Sequence, residues 1–551
     1  MICWLLERRV VAQAEEALAI ERWTPKQALS KQEAAIIKRF SRVRKFLAFL
    51  RLHRQELLDE AFQVELESMY RDTGAGKEPL SPGLMAMATL VQGYLSASDA
   101  TMVELTVIDL SVQMVLGHLG SPKPAFSQGA FSDFRARFIR SDMDRRLLER
   151  TVEVARRTKE FDWRKLPKSL RVAFDSSPLE GAGRVEDTIN LLAHAARKVV
   201  ACAATLLDWP EETVCRQAGI PSLLGSSVKK ALDREWSNPV AKATAVQVLV
   251  EEISSLEDWL KSKLPDELKK PPLKRHVDTV RQIKAQDLEP DPGGGGLRIL
   301  DGVAPDRRVS IEDPEMRHGR KSKSKRFNGY KRHIARDLDS KLILGCAIAP
   351  ANRPEEESAE PLKIDIERQK LVIGEWFIDR GYINSPVTEQ LLQAGGIVNC
   401  KPFFPATGKC FPKSRFKINM RDLTITCPAG ETERFELGAD VEFNAEECDR
   451  CPLRSQCTTA ALGNGRTVTI NENERLQHRL RKRIATPSGR EHLRLRTDVE
   501  HGLAHIGRRQ GRRARYLGSR KNLFDLRRAA SIQNIETIHL RMIQAEKRKA
   551  A

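Results

Sequence analysis

Residues 171–178 read RVAFDSSP. A short apolar run ends in Asp175, after Pro167 and before Ser176, Ser177 and Pro178. That pattern predicts a buried strand with a carboxylate at its C-terminal end. A second run of the same kind, EWFID at Glu375–Asp379, ends in Asp379 and is closed by Arg380–Gly381. Between the two, Gly329–Asp337 (GYKRHIARD) and Lys341–Ala349 (KLILGCAIA) read as strands, with a hairpin turn at Asp339–Ser340. A helix is expected over Glu355–Gln369, another over Pro386–Ala394, and a strand over Ile397–Phe403. Strand, hairpin, helix, strand, helix and strand in this order predict an α/β unit.

The flanks differ in character. Residues 1–72 show helical spacing through Leu47, Leu50, Leu57, Leu58, Phe62 and Val64, and a turn is expected at Asp72–Lys77. Residues 83–118 read as two or three helices broken near Ser96–Asp99, where Ser98 or Asp99 suits an N-cap. A Pro-rich turn at Ser121–Ala125 leads to a further helix ending near Lys159. Residues 185–285 are helical again, interrupted by Pro271–Pro272, and DPGGGG at 291–296 reads as a linker. A long polar helix is expected from Glu474 to about His505 and another over 522–547.

The chain has 551 residues, 93 Lys or Arg and 74 Asp or Glu, giving a formal net charge of +19. Apolar residues make up 41 %, enough for several cores, and ordinary Gly and Pro contents exclude collagen, coiled-coil and wholly disordered classes. The longest apolar stretch, KVVACAATLLDW at 198–209, is short of the roughly 18–20 residues of a membrane span. The start, MICWLLERRV, lacks the order of a signal peptide, so an intracellular protein is expected. Arg475–Arg528 holds 17 Lys or Arg against four Asp or Glu, a surplus of 13. Its centre is Arg508, Arg509, Arg512, Arg513 and Arg515, followed by Tyr516. A second basic run, RHGRKSKSKRFNGYKR at Arg317–Arg332, includes Lys331 and carries Phe327 and Tyr330. Arg forks fit phosphates and aromatics stack on bases, so nucleic acid is the expected partner rather than a solvated basic surface.

Two constellations carry chemistry. Asp175, Asp379 and Glu500 put two carboxylates at strand ends and a third on the basic helix, the hard oxygen donors that a pair of divalent cations takes for phosphoryl transfer. The plainer reading of a strand-end Asp is a turn former. Cys427, Cys448, Cys451 and Cys457 lie within about 30 residues and include one C-x2-C pair, the ligand spacing of a closed structural Zn2+ site. Four reduced thiols or a redox dithiol are the alternatives. Cys3, Cys202, Cys215, Cys346, Cys400 and Cys410 are scattered and read as small buried hydrophobes. His333, His501 and His505 lie near the carboxylates without an HExxH motif, and no Walker A, dinucleotide fingerprint or nucleophile elbow is present.

These segments resemble those of bacterial DDE-type insertion-sequence transposases, which have an RNase H-like catalytic core. The resemblance runs from about Leu80 to Asn534. Residues 83–117 with SASDA at 96–100, then AFSQGAFSDFRARF at 125–138, are similar to their helical N-terminal domain. RVAFDSSP resembles the strand with the first catalytic Asp, and IDRGY at 378–382 the second with its turn. DPEMRHGRKSKSKRFNGYKRHIARD at Asp313–Asp337 resembles the lead into the next two core strands, and IAPANRPEEE at 348–357 the turn after them. RTDVEHGLAHIGRRQGRRARYLG at Arg496–Gly518 resembles the helix with the catalytic Glu. CPAG at 427–430 and CDRCPLRSQC at 448–457 belong to the same pattern. Related transposases carry a Tyr, Arg, Glu, Lys signature on that helix. Arg496 stands at the Arg position, but Leu493 and Gly507 stand at the Tyr and Lys positions, so Arg508 or Arg509 would replace the Lys as a phosphate contact. The plainer reading of Arg496 is an i,i+4 ion pair with Glu500.

The resemblance implies an α/β, RNase H-like mixed-sheet core with a helical N-terminal domain, a helical insertion and a small Cys-rich zinc-type insertion. The expected division is 1–160 for the DNA-end-binding helices, 165–180 for the first core piece, 181–290 for the helical insertion, 291–403 for the second core piece, 404–472 for the Cys-rich insertion and 473–545 for the catalytic Glu helix with its basic continuation. It implies a transposase that cleaves DNA at element ends and transfers strands into a target. Asp175, Asp379 and Glu500 would hold Mg2+ or Mn2+. Arg496, Arg508, Arg509, Arg512, Arg513, Arg515 and Lys331 would contact DNA. The expected partners are terminal inverted repeats, target DNA and further copies of the chain, with no membrane, in the cytoplasm at the nucleoid. An idle transposase-derived regulator and a nuclease that does not join strands are the alternatives.

Overall fold

The computed structural model describes residues 20–550, apart from 42–43, 71–77, 159–168, 293, 295, 323, 404–407 and 409. The expected turn at Asp72–Lys77, the helical reading of residues 1–19, Cys3 and the expected helix end at Lys159 lie outside the described residues.

A curled mixed sheet of six strands organises the chain: β1 (Leu170–Glu180), β2 (Arg317–Arg320), β3 (Arg326–Asp337), β4 (Ile343–Pro350), β5 (Ile373–Phe377) and β6 (Ile397–Asn399). The path is β2-β3-β1-β5-β6, with β4 also paired to β3. β1, β3 and β4 are antiparallel neighbours, whereas β5 and β6 run parallel to β1. Period-two alternation sends consecutive residues of β1 to opposite faces. Val172 and Phe174 enter one core with Trp376 and Tyr382. Ala173 enters another with Ile334, Cys346 and Phe377.

Helices cover both faces. On the first lie α1 (Met143–Arg157), other helices N-terminal to β1, and α3 (Ala359–Arg368). On the second, α7 (Thr497–Gln510) contributes Val499, Leu503 and Ile506, at the three- and four-residue spacing of a buried helical stripe. The 32-residue α8 (Ser519–Ala550) closes the same side with Leu526, Ala529 and Ala530. Two polar anchors fix α8. Asn534 accepts from Ile343 N (2.7 Å) and donates to Ile343 O (2.8 Å) and to Thr151 Oγ1 (3.0 Å). Asp144, 1 % exposed, accepts from Arg520 (2.9 Å) and Arg527 (3.1 Å). Losing one partner of such a buried pair costs about 3–5 kcal/mol, so α1 and α8 are held in one register.

Two further units have cores of their own. The helices between Thr188 and Asp287 surround α2 (Thr188–Leu207) with Val214, Leu249, Ile253, Val277 and Val280. α2 is long and apolar enough by length and composition to cross a membrane, which the shorter apolar stretch noted in the sequence did not suggest, but it is the centre of this cluster. The Cys-rich segment folds as two small antiparallel sheets around Phe416, Ile425, Phe435, Val441, Phe443 and Val468.

Several sequence expectations need correction. The strand of Asp175 does not stop there: β1 continues to Glu180, because β3 pairs with it as far as Gly329 while β5 leaves it after Ala173. The N–H of Glu180 points away from β3, to Arg512 O (2.9 Å), and Pro178, two residues earlier, has its nitrogen on the same side, where no ladder needs it. The single polar helix expected from Glu474 is three: α5 (Glu474–Ala485), α6 (Pro487–Arg494) and α7. Pro487 ends the first turn ladder and Thr486 caps α6 through Gly489 N (3.1 Å). The linker expected at DPGGGG joins the paired strands Leu288–Pro290 and Leu297–Ile299, with Asp291 N on Gly296 O (2.9 Å) and Gly294 and Gly296 at positive φ. The basic run at 317–332 is the hairpin β2–β3. The last core strand ends at Asn399 rather than Phe403.

Candidate active site

Asp175 and Ala173 share a face of β1, and that face is the one α7 covers. On β5 the same relation holds: Phe377 is packed in the core against α7, and Asp379 follows two residues later. There it accepts Arg380 N (2.8 Å) and starts the 3-10 turn Arg380–Tyr382. Glu500 lies in the first turn of α7, beside the buried Val499. Three segments separated by 204 and 121 residues in the sequence thus bring Asp175, Asp379 and Glu500 to the wall of one cavity of about 570 Å3.

Arg496 joins them. Its guanidinium donates to Glu500 Oε1 (2.7 Å) and lies 3.3 Å from Asp175 Oδ2. The i,i+4 pair expected from spacing is present, and the same side chain also reaches β1. Asp175 Oδ1 accepts Ser176 N (2.8 Å). Burial pushes the Asp175 carboxyl up to about 6; Arg496 and the Ser176 N–H oppose the rise, and Glu500 and Asp379 add to it. Beneath the cavity, Tyr382 Oη meets His333 Nδ1 at 2.6 Å, and burial takes His333 down to about 3. His333 is therefore a neutral, fully buried core residue.

The expected DNA contacts divide. Arg496 and Lys331 line the cavity, Lys331 with its Nζ on Arg353 O (2.8 Å). Arg513 lines the adjoining cavity of about 610 Å3 and donates to Gly181 O and Ala182 O. Arg512 pairs with Glu180 (2.8 Å) at the end of β1. Arg509 turns away to Glu536 and the Tyr94 ring, and Arg515 donates to Arg509 O (3.4 Å). Arg508 is exposed and outside both cavities.

Sequence reasoning did not single out several groups that line the main cavity, among them Glu355, Arg332, Ser177 and Arg320. Glu355 is a fourth carboxylate, hydrogen-bonded by Ser176 Oγ. It stands first in a run of three glutamates, and no spacing rule picks the one that faces β1. Arg332 and Arg320 lay within a basic run read only as a whole.

The four cysteines of the small unit line one apolar cavity of about 30 Å3. Burial raises the Cys457 thiol, Arg466 opposes this, and Cys448, Cys427 and Cys451 raise it further. Among the described residues no group of three or more His, Cys, Asp or Glu is drawn together tightly enough to hold a metal ion as it stands. In donor chemistry the two clusters still match two kinds of cation, hard oxygens for Mg2+ or Mn2+ and soft sulfurs for Zn2+.

Residues 425–539 match the family model of a transposase DDE domain. Over that stretch the chain is similar to DDE-type transposases. The matched stretch holds the four cysteines, Arg496, Glu500 and most of α8, while Asp175 and Asp379 lie outside it. No curated protein and no solved structure matches the chain.

The raised Asp175 carboxyl has a consequence for stability. A folded value above the unfolded one of about 3.8 stabilises the fold while the group is protonated, and that contribution is lost as pH rises through about 6. In metal-free buffer at pH 8, Asp175→Asn is expected to raise stability by about 2 kcal/mol, with the gain shrinking below pH 6. Urea unfolding of both proteins across that range checks this; a gain independent of pH contradicts it.

Proposed function

We propose that this chain is a transposase that cuts DNA at the ends of a mobile element and joins the freed 3′-hydroxyls to a target, using an RNase H-like core. The convergence of Asp175, Asp379 and Glu500 on one basic-rimmed cavity carries the reading. The strand arrangement supports the core: an antiparallel β1, β3, β4 set followed by two parallel strands. The helical unit near 181–290 and the Cys-rich unit near 404–472 are then insertions in that core, and the N-terminal helices bind the element ends.

Asp175, Asp379 and Glu500 are the residues that hold Mg2+ or Mn2+. A bound cation supplies a polarised attacking oxygen and offsets charge on the leaving oxygen. Asp175 sheds its proton to become a ligand, which favours activity above pH 6. Arg496 keeps Asp175 and Glu500 aimed at one point and offsets their repulsion before the cation arrives. Lys331 and Arg513 carry the DNA backbone along the two adjoining cavities. Because two element ends must be processed, the active form is an oligomer on DNA.

Asp379→Asn should lower Mg2+-dependent cleavage of a duplex bearing the element end by at least about a thousandfold, with DNA binding kept within about threefold. Cleavage that survives the change overturns the assignment. Cleavage without joined products when 3′-hydroxyl ends are supplied identifies a nuclease, and DNA binding without cleavage identifies a regulator.

The Cys427, Cys448, Cys451 and Cys457 cluster holds one structural Zn2+, whose charge relieves the mutual repulsion of the four sulfurs. Metal analysis of purified protein should give about one Zn per chain, falling to about zero in Cys448→Ser/Cys451→Ser. Less than half an equivalent in the unaltered protein contradicts the assignment.

A further inference from the structure

Among the described residues that line the cavity, Arg332 is a buried cation without a counter-ion. It sits in the middle of β3 and is 5 % exposed. Its Nε donates to Ser177 Oγ (2.8 Å), and its Nη1 to Gln510 Oε1 (3.1 Å) and Gly511 O (3.0 Å). All three acceptors are neutral. No described residue forms an ion pair with it. The carboxylate that favours its charge, Asp525, is committed to Arg528. Burial draws the guanidinium down to about 10, still charged at neutral pH.

Other arginines around the site are either exposed, as Arg320 is, or matched by carboxylates. Arg496 is matched by two carboxylates and Arg512 by Glu180. A buried cation with no anion is costly, so proteins keep one where an anion arrives from outside. The third nitrogen, Nη2, makes no hydrogen bond to a described residue and stands over Gly507, where an added Cβ would lie 3.3 Å from it. Gly507 and Arg332 both line the cavity with the three carboxylates. Two nitrogens thus fasten the guanidinium to β1 and α7, and the third is left over the wall of the cavity.

We propose that Arg332 is the phosphate receptor of the catalytic cavity: its Nη2 binds a non-bridging oxygen of the DNA phosphate next to the carboxylates, in the space kept open by Gly507. This rests on the DNA-processing reading of the site, but binding of phosphate is separable from cleavage. Arg332 is a substrate-binding and positioning residue, and it moves no proton.

The test uses the full chain and inorganic phosphate, titrated at constant ionic strength and followed by thermal unfolding, with Arg332→Met, Arg332→Lys, Gly507→Ala and, as a control at an exposed lysine of α2, Lys198→Gln. In the unaltered protein phosphate should raise the unfolding temperature with saturation. Arg332→Met should weaken that response about tenfold or more, the loss of one charge-assisted hydrogen bond. Gly507→Ala should weaken it with the charge intact, Arg332→Lys should keep part of it, and Lys198→Gln should leave it within twofold. Without phosphate, Arg332→Met should unfold close to the temperature of the unaltered protein, since removal of a buried unpaired charge offsets the hydrogen bonds to Ser177, Gln510 and Gly511 that are lost with it. A purely structural role predicts the reverse: an unfolding temperature lowered by the change and an unaltered phosphate response. That result, or a phosphate response equal in Arg332→Met and the unaltered protein, overturns the proposal. Normal phosphate binding in a protein that cleaves no DNA overturns the transposase reading and leaves this one standing.

Discussion

Glu500 reaches the two aspartates because α7 lies close against one face of the sheet. Val499, Leu503 and Ile506 pack over Ala173, Ile334 and Phe377, and the helix comes near enough only where its side chains vanish. A Cβ at Gly502 would fall 2.6 Å from an Arg336 nitrogen, and one at Gly507 would meet Arg332. Burying three aliphatic side chains yields about 5 kcal/mol or more, which offsets the crowding of like charges nearby. The two aspartates need no such help, since each follows by two residues the pair Ala173 and Phe377 that ends the ladder of β1 with β5.

Charge is arranged around this contact in opposition. Asp175, Asp379, Glu500 and Glu355 share a cavity, and partial burial makes their repulsion felt. Arg496 answers two of them directly. Arg332 stands among neutral acceptors. Such a cavity has a place for added positive charge at the carboxylates and for added negative charge at Arg332. A divalent cation and a phosphodiester satisfy both at once. The Cys-rich unit repeats the theme on a small scale, with four thiols facing one another across an apolar cavity.

Much of this was legible in the sequence, and the reasons differ by element. Asp175 and Asp379 stood out because each closes a short apolar run, and the α/β alternation around them follows from period-two and helical spacing. Glu500 came from the resemblance, which the DDE-domain match over residues 425–539 now supports for its own stretch. The extension of β1 through Ser176–Glu180 was hidden because its polar residues and Pro178 look like a turn, and only the unpaired side of the strand makes the proline harmless. The break at Thr486–Pro487 was written in the sequence and was overlooked within a continuous run of basic residues. Arg332 and Glu355 were out of reach, since nothing local separates a buried arginine or one facing glutamate from its neighbours in a charged run. Conversely, Arg509 was legible as basic but not as the partner of Glu536, a contact between two helices.

The central claim is that Asp175, Asp379 and Glu500 act as one cation site. Titration of Mn2+ into metal-free protein, followed by the loss of free-ion electron paramagnetic resonance signal, tests it without any DNA. The account predicts saturable binding that weakens at least about tenfold in each of Asp175→Asn, Asp379→Asn and Glu500→Gln, with the double variants little worse than the singles. Mn2+ binding that is unchanged in any one of the three single variants would contradict it.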